Sequence, residues 1–287
     1  MNSLQSRSTI FSLGRIRDEL RRDTIGKLRD LGVRPRRSLG QSFVIDPVLV
    51  ERLVELGSIS SKDVVLEIGA GLGTLTKALA IRCRKVYAVE KDKRLCSALS
   101  GILRDHRNVE TICGDALKVE LPDFNKIVSN PPFSISSKLI FKILGREFET
   151  AIMTFQDEFA SRLIAAPGSK DYGRLTVATQ IRADVIAHEE YPPSSFYPEP
   201  GTKARLLVIK PRRSQLDPRS QGELDSLLRY VFSQRRRKVA KILENYAKRT
   251  ERRFENKDQL LTFGERRVFQ LSPQEFLDLA KAMSQPP

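Results

Sequence analysis

The stretch that decides the fold is VVLEIGAGLGTLTKAL, Val64 to Leu79. An apolar run of strand length ends at Glu67, a glycine turn follows (Gly69-Ala70-Gly71-Leu72-Gly73), and helical spacing begins at once. Glycine adopts left-handed backbone conformations without steric cost and lets the main chain approach a ligand that a Cβ would obstruct. The unit therefore reads as strand, ligand-binding turn, helix. Its G-x-G-x-G spacing departs from the G-x-G-x-x-G of the dinucleotide fingerprint, which disfavours NAD.

Working outward, the runs KVYAV, NKIVSN and AIMTF alternate with helical stretches from Asp63 onward, the rhythm of βαβ units and a parallel sheet. The apolar segments IRADVIAHEEYP and KARLLVIKP are joined by a Pro-rich connection rather than a helix, so they are expected to close the sheet edge as an antiparallel pair. The expected fold class is α/β: Rossmann-like, with a mostly parallel seven-stranded sheet and a small C-terminal helical domain. Three divisions are expected. Residues 1–37 form a basic helical extension, with helical spacing from Leu13 to Leu31 ended by Gly32 and Pro35; 38–213 form the sheet domain; 214–287 form the helical domain.

Three successive strand ends then present polar groups to one crevice, where open α/β sheets bind ligands. Gly69 and Gly71 belong to the first. Glu90, twenty-one residues beyond Gly69, ends KVYAVE where a carboxylate can accept from both ribose hydroxyls, and Asp115 in Gly114-Asp115-Ala116 can accept from an adenine amino group. Each is weak alone, since a glycine turn, a solvated acid and a helix cap are ordinary features. Together, in this order, they point to S-adenosylmethionine.

The fourth strand ends in Asn130-Pro131-Pro132-Phe133. An exocyclic aromatic amine is a poor nucleophile because its lone pair is delocalised into the ring. The Asn130 side-chain oxygen and the Pro131 carbonyl can each accept one N–H and concentrate density on the nitrogen as it attacks, with no strong base. Phe133 offers a face to a flipped base, worth roughly 1–3 kcal/mol. The alternative is a Pro-rich turn with a core phenylalanine.

The 287 residues carry a formal charge of +15, with a pI near 9.9. That predicts attraction to polyanions, RNA or DNA ahead of membranes, because no stretch is apolar for a spanning length. Arg235, Arg236, Arg237 and Lys238, followed by Lys241, Lys248, Arg249, Arg252 and Arg253, form the densest basic tract and are expected to dock phosphates; a solvated helix face is the bland alternative. Arg7 through Arg37 form a second candidate patch. Cys83, Cys96 and Cys113, with His106 and His188, make neither a zinc site nor a disulfide framework, which fits a reducing cytoplasmic setting. A transit peptide is the weaker reading of the Ser- and Arg-rich first seventeen residues, because acids follow at once.

With these residues in hand, the chain resembles the small-subunit ribosomal RNA adenine N6-dimethyltransferase family, especially its archaeal members, over roughly residues 35 to 250. The resemblance is carried by SLGQSFVID (Ser38–Asp46), the glycine turn, Glu90, GDA, NPPF, FQDEFASRL, KDYGRLTVATQ, PPSSFYPEP and FSQRRRK. It implies that Ser42, Val44, Gly69, Glu90, Asp115 and Asn130 contact S-adenosylmethionine, with Gln41, Phe43, Gly71 and Ala116 shaping or lining the pocket. Asn130, Pro131 and Phe133 fall where the family holds the target adenine. It also implies two neighbouring adenines in a hairpin near the 3′ end of small-subunit RNA, each methylated twice. The expected partner is that RNA within a pre-ribosomal particle, and nothing in the sequence argues against a monomer. The family usually has Leu or Ile where this chain has Pro131, and NPPF is shared with glutamine and DNA-adenine methyltransferases, so the tetrapeptide does not specify the substrate. A large-subunit RNA methyltransferase and an assembly or transcription factor on the same fold are the competing readings.

Overall fold

A computed structural model describes the backbone of residues 2–36, 40–213, 218–251, 263 and 265–281, with side chains described from residue 14 and, in the third segment, from residue 220. Two compact units result: 1–160 with 186–210, and 161–185 with 211–287.

The first unit opens with helix α1 (Asn2–Asp30), which begins earlier than its apolar spacing indicates and is ended at Gly32, whose φ of +62° suits glycine. A two-residue strand β1 (Phe43–Val44) leads into α2 (Pro47–Leu56), capped by the Asp46 carboxylate on the Val48 N–H. The βα alternation then runs through β2 (Val64–Ile68), α3 (Thr74–Ala80), β3 (Lys85–Glu90), α4 (Lys93–Ile102), β4 (Val109–Cys113), β5 (Lys126–Ser129), α5 (Ser136–Ile143), β6 (Thr150–Gln156) and α6 (Asp157–Leu163). After α7 (Arg174–Arg182) come β7 (Ala183–Tyr191), the two-residue β8 (Phe196–Tyr197) and β9 (Ala204–Pro211).

The sheet order is β4-β3-β2-β5-β6-β9-β7. The first five strands are parallel and β9 runs antiparallel to β6, giving the expected mostly parallel seven-stranded sheet. Strands β2, β5 and β6 are buried and largely apolar, as both-face coverage requires, with Glu67, Lys126, Ser129 and Thr154 as the buried polar exceptions. Register aligns Ile68 with Val89 and Glu90 with Cys113, so the β2, β3 and β4 ends lie at one edge. Ser129 carries β5 to the same level: its hydroxyl accepts from the Ile68 N–H and donates to the Ile68 carbonyl.

The second unit packs α7 with α8 (Pro218–Phe232), α9 (Val239–Thr250) and α10 (Pro273–Lys281) around Leu224, Leu228, Val231, Leu243 and Phe276. Residues 161–185 fall outside this domain in the 214–287 division of the sequence. Tyr172 explains their place: it is fully buried, lies 6.2 Å from the Phe232 ring and donates its hydroxyl to the Leu271 carbonyl at 2.6 Å. One sequence expectation is corrected. Cys96 of α4 and Cys113 of β4 form a disulfide, with Cα atoms 5.7 Å apart. Their seventeen-residue separation carries no motif; the packing of α4 beside β4 brings them together. Cys83 is free and buried. Among the described residues no helix is long and apolar enough to cross a membrane.

A buried ion pair secures the opposite edge of the sheet. Lys126 reaches Asp63 at 3.1 Å with both side chains about nine-tenths covered. Burial pushes the Asp63 carboxyl up, but the Asn125 amide, the Ser60 N–H and the Lys126 ammonium outweigh it and hold the group at about 2. A depressed carboxylate contributes stability present above its unfolded value near 3.8 and lost as pH falls towards 2. Asp63→Asn should therefore destabilise the fold at pH 7 by about 3 kcal/mol, the cost of stranding a buried ammonium. Urea titrations should show the gap from wild type closing as pH falls from 5 to 2.

Candidate active site

The carboxyl edge of the sheet holds a pocket walled by the glycine turn, the ends of β3 and β4, the Asn130 loop and the entry segment around Ser42. Gly69, Gly71 and Gly73 have φ of +80°, +59° and +78°. The turn is clamped from both sides: a Cβ on Gly69 would stand 2.8 Å from the Pro132 ring, and one on Gly71 would stand 2.9 Å from Phe43. Both positions thus require glycine for space as well as for backbone conformation.

Glu90 is buried, and its two carboxylate oxygens accept the Gly71 and Asp92 N–H groups at 2.9 and 2.8 Å. Burial pushes its carboxyl above the ordinary range, against the lowering effect of those N–H donors. Each oxygen keeps a further lone pair for a ligand. Asp115 accepts the Leu117 N–H at 3.0 Å and pairs with Lys91 at 2.9 Å; the Lys91 hydrogen bond leads in holding it below the ordinary carboxylate range. Ala116 completes this side.

At the other side, the Asn130 amide nitrogen donates to the Ser42 carbonyl at 2.8 Å. A carbonyl can only accept, so this contact sets the amide's orientation and turns Oδ1 towards Thr154, whose hydroxyl donates to it. The Ser42 hydroxyl is in turn held by the Pro198 carbonyl at 2.7 Å. The entry segment owes its position to the pairing of β1 with β8, Phe43 opposite Tyr197 and Val44 opposite Phe196.

The structure therefore brings Ser42, Val44, Gly69, Gly71, Glu90, Asp115, Ala116 and Asn130 to one pocket. Pro131 and Phe133 stand beside it, outside its wall. Pro131 is buried, and among the described residues nothing donates to its carbonyl. Phe133 is half-buried, edge-on to Phe196 with ring centres 6.3 Å apart. In the second unit, Arg235 is engaged by the fold: its guanidinium donates to the Ser169 and Lys170 carbonyls and covers the Phe269 ring at 5.4 Å. Arg236, Arg237 and Lys238 are exposed, with Lys238 paired to Glu265. Arg252 and Arg253 lie outside the described residues, as do Ser38 and the side chain of Arg7.

Thr24, Glu67 and Lys91 are among the pocket residues that the sequence did not single out. Glu67 had a signal, being the lone acid in an apolar strand. It is buried, with Oε2 lacking any hydrogen-bond partner, and burial pushes it up to about 8, with the Thr76 hydroxyl opposing and the Glu90 charge adding to the rise.

Fold and pocket together define a Rossmann-like methyltransferase. The chain belongs to the ribosomal RNA adenine dimethylase family, whose model matches residues 32–285. It is 43% identical over 254 residues to a protein of Thermococcus gammatolerans named ribosomal RNA small subunit methyltransferase A, covering 86% of this chain and 88% of the relative. A protein of the same name from Methanothermobacter thermautotrophicus is 38% identical over 258 residues, covering 88% and 93%. Among solved structures, a dimethyladenosine transferase from Plasmodium falciparum superposes with a TM-score of 0.73 at 28% identity, covering 84% of this chain and 99% of that one. The 23S rRNA methyltransferase ErmE gives 0.65 at 27% identity, covering 85% and 100%. The chain is an rRNA adenine dimethyltransferase.

Glu67 has a measurable signature. A raised carboxyl contributes stability that is full below its unfolded value near 4.5 and is lost as pH rises through about 8. Glu67→Gln keeps the shape without the charge. Its melting temperature should equal wild type at pH 5 and exceed it by about 2 °C or more at pH 9; equal curves at both pH values would place Glu67 in contact with solvent.

Proposed function

We propose that this enzyme transfers methyl groups from S-adenosylmethionine to N6 of two adjacent adenines, in a hairpin near the 3′ end of small-subunit ribosomal RNA within a pre-ribosomal particle, giving N6,N6-dimethyladenosine. The observation that carries the chemistry is the oriented Asn130 amide, held in the pocket wall by the Ser42 carbonyl and Thr154. The name shared by the archaeal relatives supports the small subunit as the source of the RNA.

The pocket residues fit the donor. An unpartnered, buried Glu67 oxygen suits a ligand that carries positive charge. Glu90, already aimed by two N–H groups, suits the ribose hydroxyls; Asp115 suits the adenine amine, and Ala116 leaves room for the ring. Gly69, Gly71, Ser42 and Val44 supply backbone wall. When bound, S-adenosylmethionine supplies an electrophilic methyl on its sulfonium.

The chain's own part is positioning. Asn130 Oδ1 keeps one lone pair beyond the Thr154 bond, and the Pro131 carbonyl is free of donors among the described residues. These two acceptors match the two hydrogens of an adenine amine and draw its lone pair out of conjugation as the N–C bond forms at the expense of the methyl–sulfur bond, the nitrogen then releasing one N–H proton to solvent. The exposed part of Phe133 takes the flipped base, and its edge contact with Phe196 steadies the ring. Thr154, which would touch neither substrate nor donor, is a positioning residue. Arg236 and Arg237 dock RNA phosphates; Arg235 and Lys238 support that surface through their intramolecular contacts.

The test is transfer from radiolabelled S-adenosylmethionine to small subunits lacking the modification, with large subunits and bulk protein in parallel. Label is expected as N6,N6-dimethyladenosine from small subunits alone. Tight binding without label would instead indicate an assembly factor. Asn130→Ala should lower kcat by about 10²–10³ with RNA affinity retained, the signature of a transition-state interaction. Thr154→Val should lower kcat about tenfold at unchanged KM, as expected for a misaligned acceptor, and Thr154→Ser should restore it.

Replacing Arg236 and Arg237 with Gln should weaken RNA binding and flatten the slope of log K against log salt by about 0.7–0.9 for each phosphate that is no longer neutralised. An unchanged slope would remove both from the docking surface.

A further inference from the structure

Helix α1 precedes residue 32, where the match to the family model begins, yet Thr24 of this helix is buried and forms part of the pocket wall. The geometry points to α1 as a built component of the methyl-donor site, with Thr24 contacting the nucleoside half of the ligand. This rests on the S-adenosylmethionine reading of the pocket above.

The placement follows from helical spacing. Thr24 and Leu28 are one turn apart and share a face. Leu28 and Val33 are buried against Leu72 of the glycine turn and Leu95 of α4, and both of those leucines also line the pocket. Leu72 adjoins Gly71, whose N–H holds Glu90, and Leu95 lies five residues past Glu90. Thr24 therefore belongs to the Glu90 side, where the ribose is proposed to sit.

The helix end is pinned there by hydrogen bonds. The Arg94 guanidinium of α4 donates to the Gly32 carbonyl at 2.6 Å. The Val33 N–H returns to the Leu28 carbonyl at 2.8 Å and the Arg36 N–H reaches the Gln41 side chain at 2.9 Å, Gln41 being itself a pocket residue. Charge does not explain the burial of this face, because the basic residues Arg15, Arg21, Arg22 and Arg29 are exposed. A wall at this point keeps water from Glu90, and hydrogen bonds to a ligand strengthen as the local dielectric falls.

The test is calorimetric titration of the full chain with S-adenosylhomocysteine and with sinefungin, alongside stopped-flow dissociation. Thr24→Trp should raise Kd at least tenfold while the melting temperature without ligand stays near wild type. Thr24→Ala, the milder change, should speed dissociation several-fold, and Arg22→Trp on the exposed face should alter neither quantity. Wild-type Kd and dissociation rate in both Thr24 variants would overturn the inference. Should Thr24→Trp fail to fold, Thr24→Ala decides alone. Failure of the wild-type chain to bind either nucleoside would remove the ligand reading itself, and this inference with it.

Discussion

Parallel pairing of β2 with β3 and β5 is the constraint on which the rest depends. In-phase strands deliver their carboxyl ends to a single edge, so residues far apart in sequence arrive together without any long-range design of loops. Gly69 and Ala70 both donate to the Val89 carbonyl, which ties the first turn directly to the second strand. Ser129 does the same for β5 through its hydroxyl. A slip of one residue in the β2–β3 register would invert which face carries Glu90 and separate it from the Gly71 N–H.

That edge concentrates acidic side chains in a chain whose net charge is +15. The surplus is spread over exposed side chains and is screened within about 10 Å at ordinary salt, so it does little for acids buried at the pocket floor. Glu67 and Glu90 are both raised by burial, and Glu67 has an unpartnered oxygen. Burying such groups costs stability when nothing compensates. On the proposed reading a cationic ligand compensates by drawing these carboxyls into their charged forms, so the acidic pocket and the basic surface serve different partners.

Legibility in the sequence followed the range of the interactions. The glycine turn, the strand-end acids and the apolar strands declare themselves within windows of five to sixteen residues, and the mostly parallel sheet follows from their alternation. The β1–β8 pair does not, because strands of two residues have no periodicity and β8 sits in a segment whose prolines read as loop. Thr24 belongs to a helix whose charges suggested only a surface, and a single buried threonine leaves no pattern. The Cys96–Cys113 bridge and the grouping of 161–185 with the helical unit arise from packing between elements, which spacing does not report. Arg235 is a further case: in sequence it is indistinguishable from Arg236, and only the Ser169 and Lys170 carbonyls separate a structural arginine from an exposed one.

The acceptor arrangement at Asn130 also bears on where the proposed reaction stops. An unmodified adenine amine has two hydrogens for two acceptors, the monomethylated amine has one, and the dimethylated amine has none. Each transfer therefore removes a hydrogen bond that had favoured binding, and the last leaves Asn130 Oδ1 and the Pro131 carbonyl facing a group with nothing to donate. Asn130 Oδ1 then keeps only its Thr154 bond, and leaving the Pro131 carbonyl unsatisfied costs about 1–3 kcal/mol. The monomethylated base still satisfies one acceptor and can be retained for a second transfer, whereas the dimethylated base satisfies neither and is expelled. On the proposed reading, two hydrogens to replace meet two fixed acceptors, so the site's hydrogen-bond stoichiometry matches a reaction that ends at the dimethylated amine.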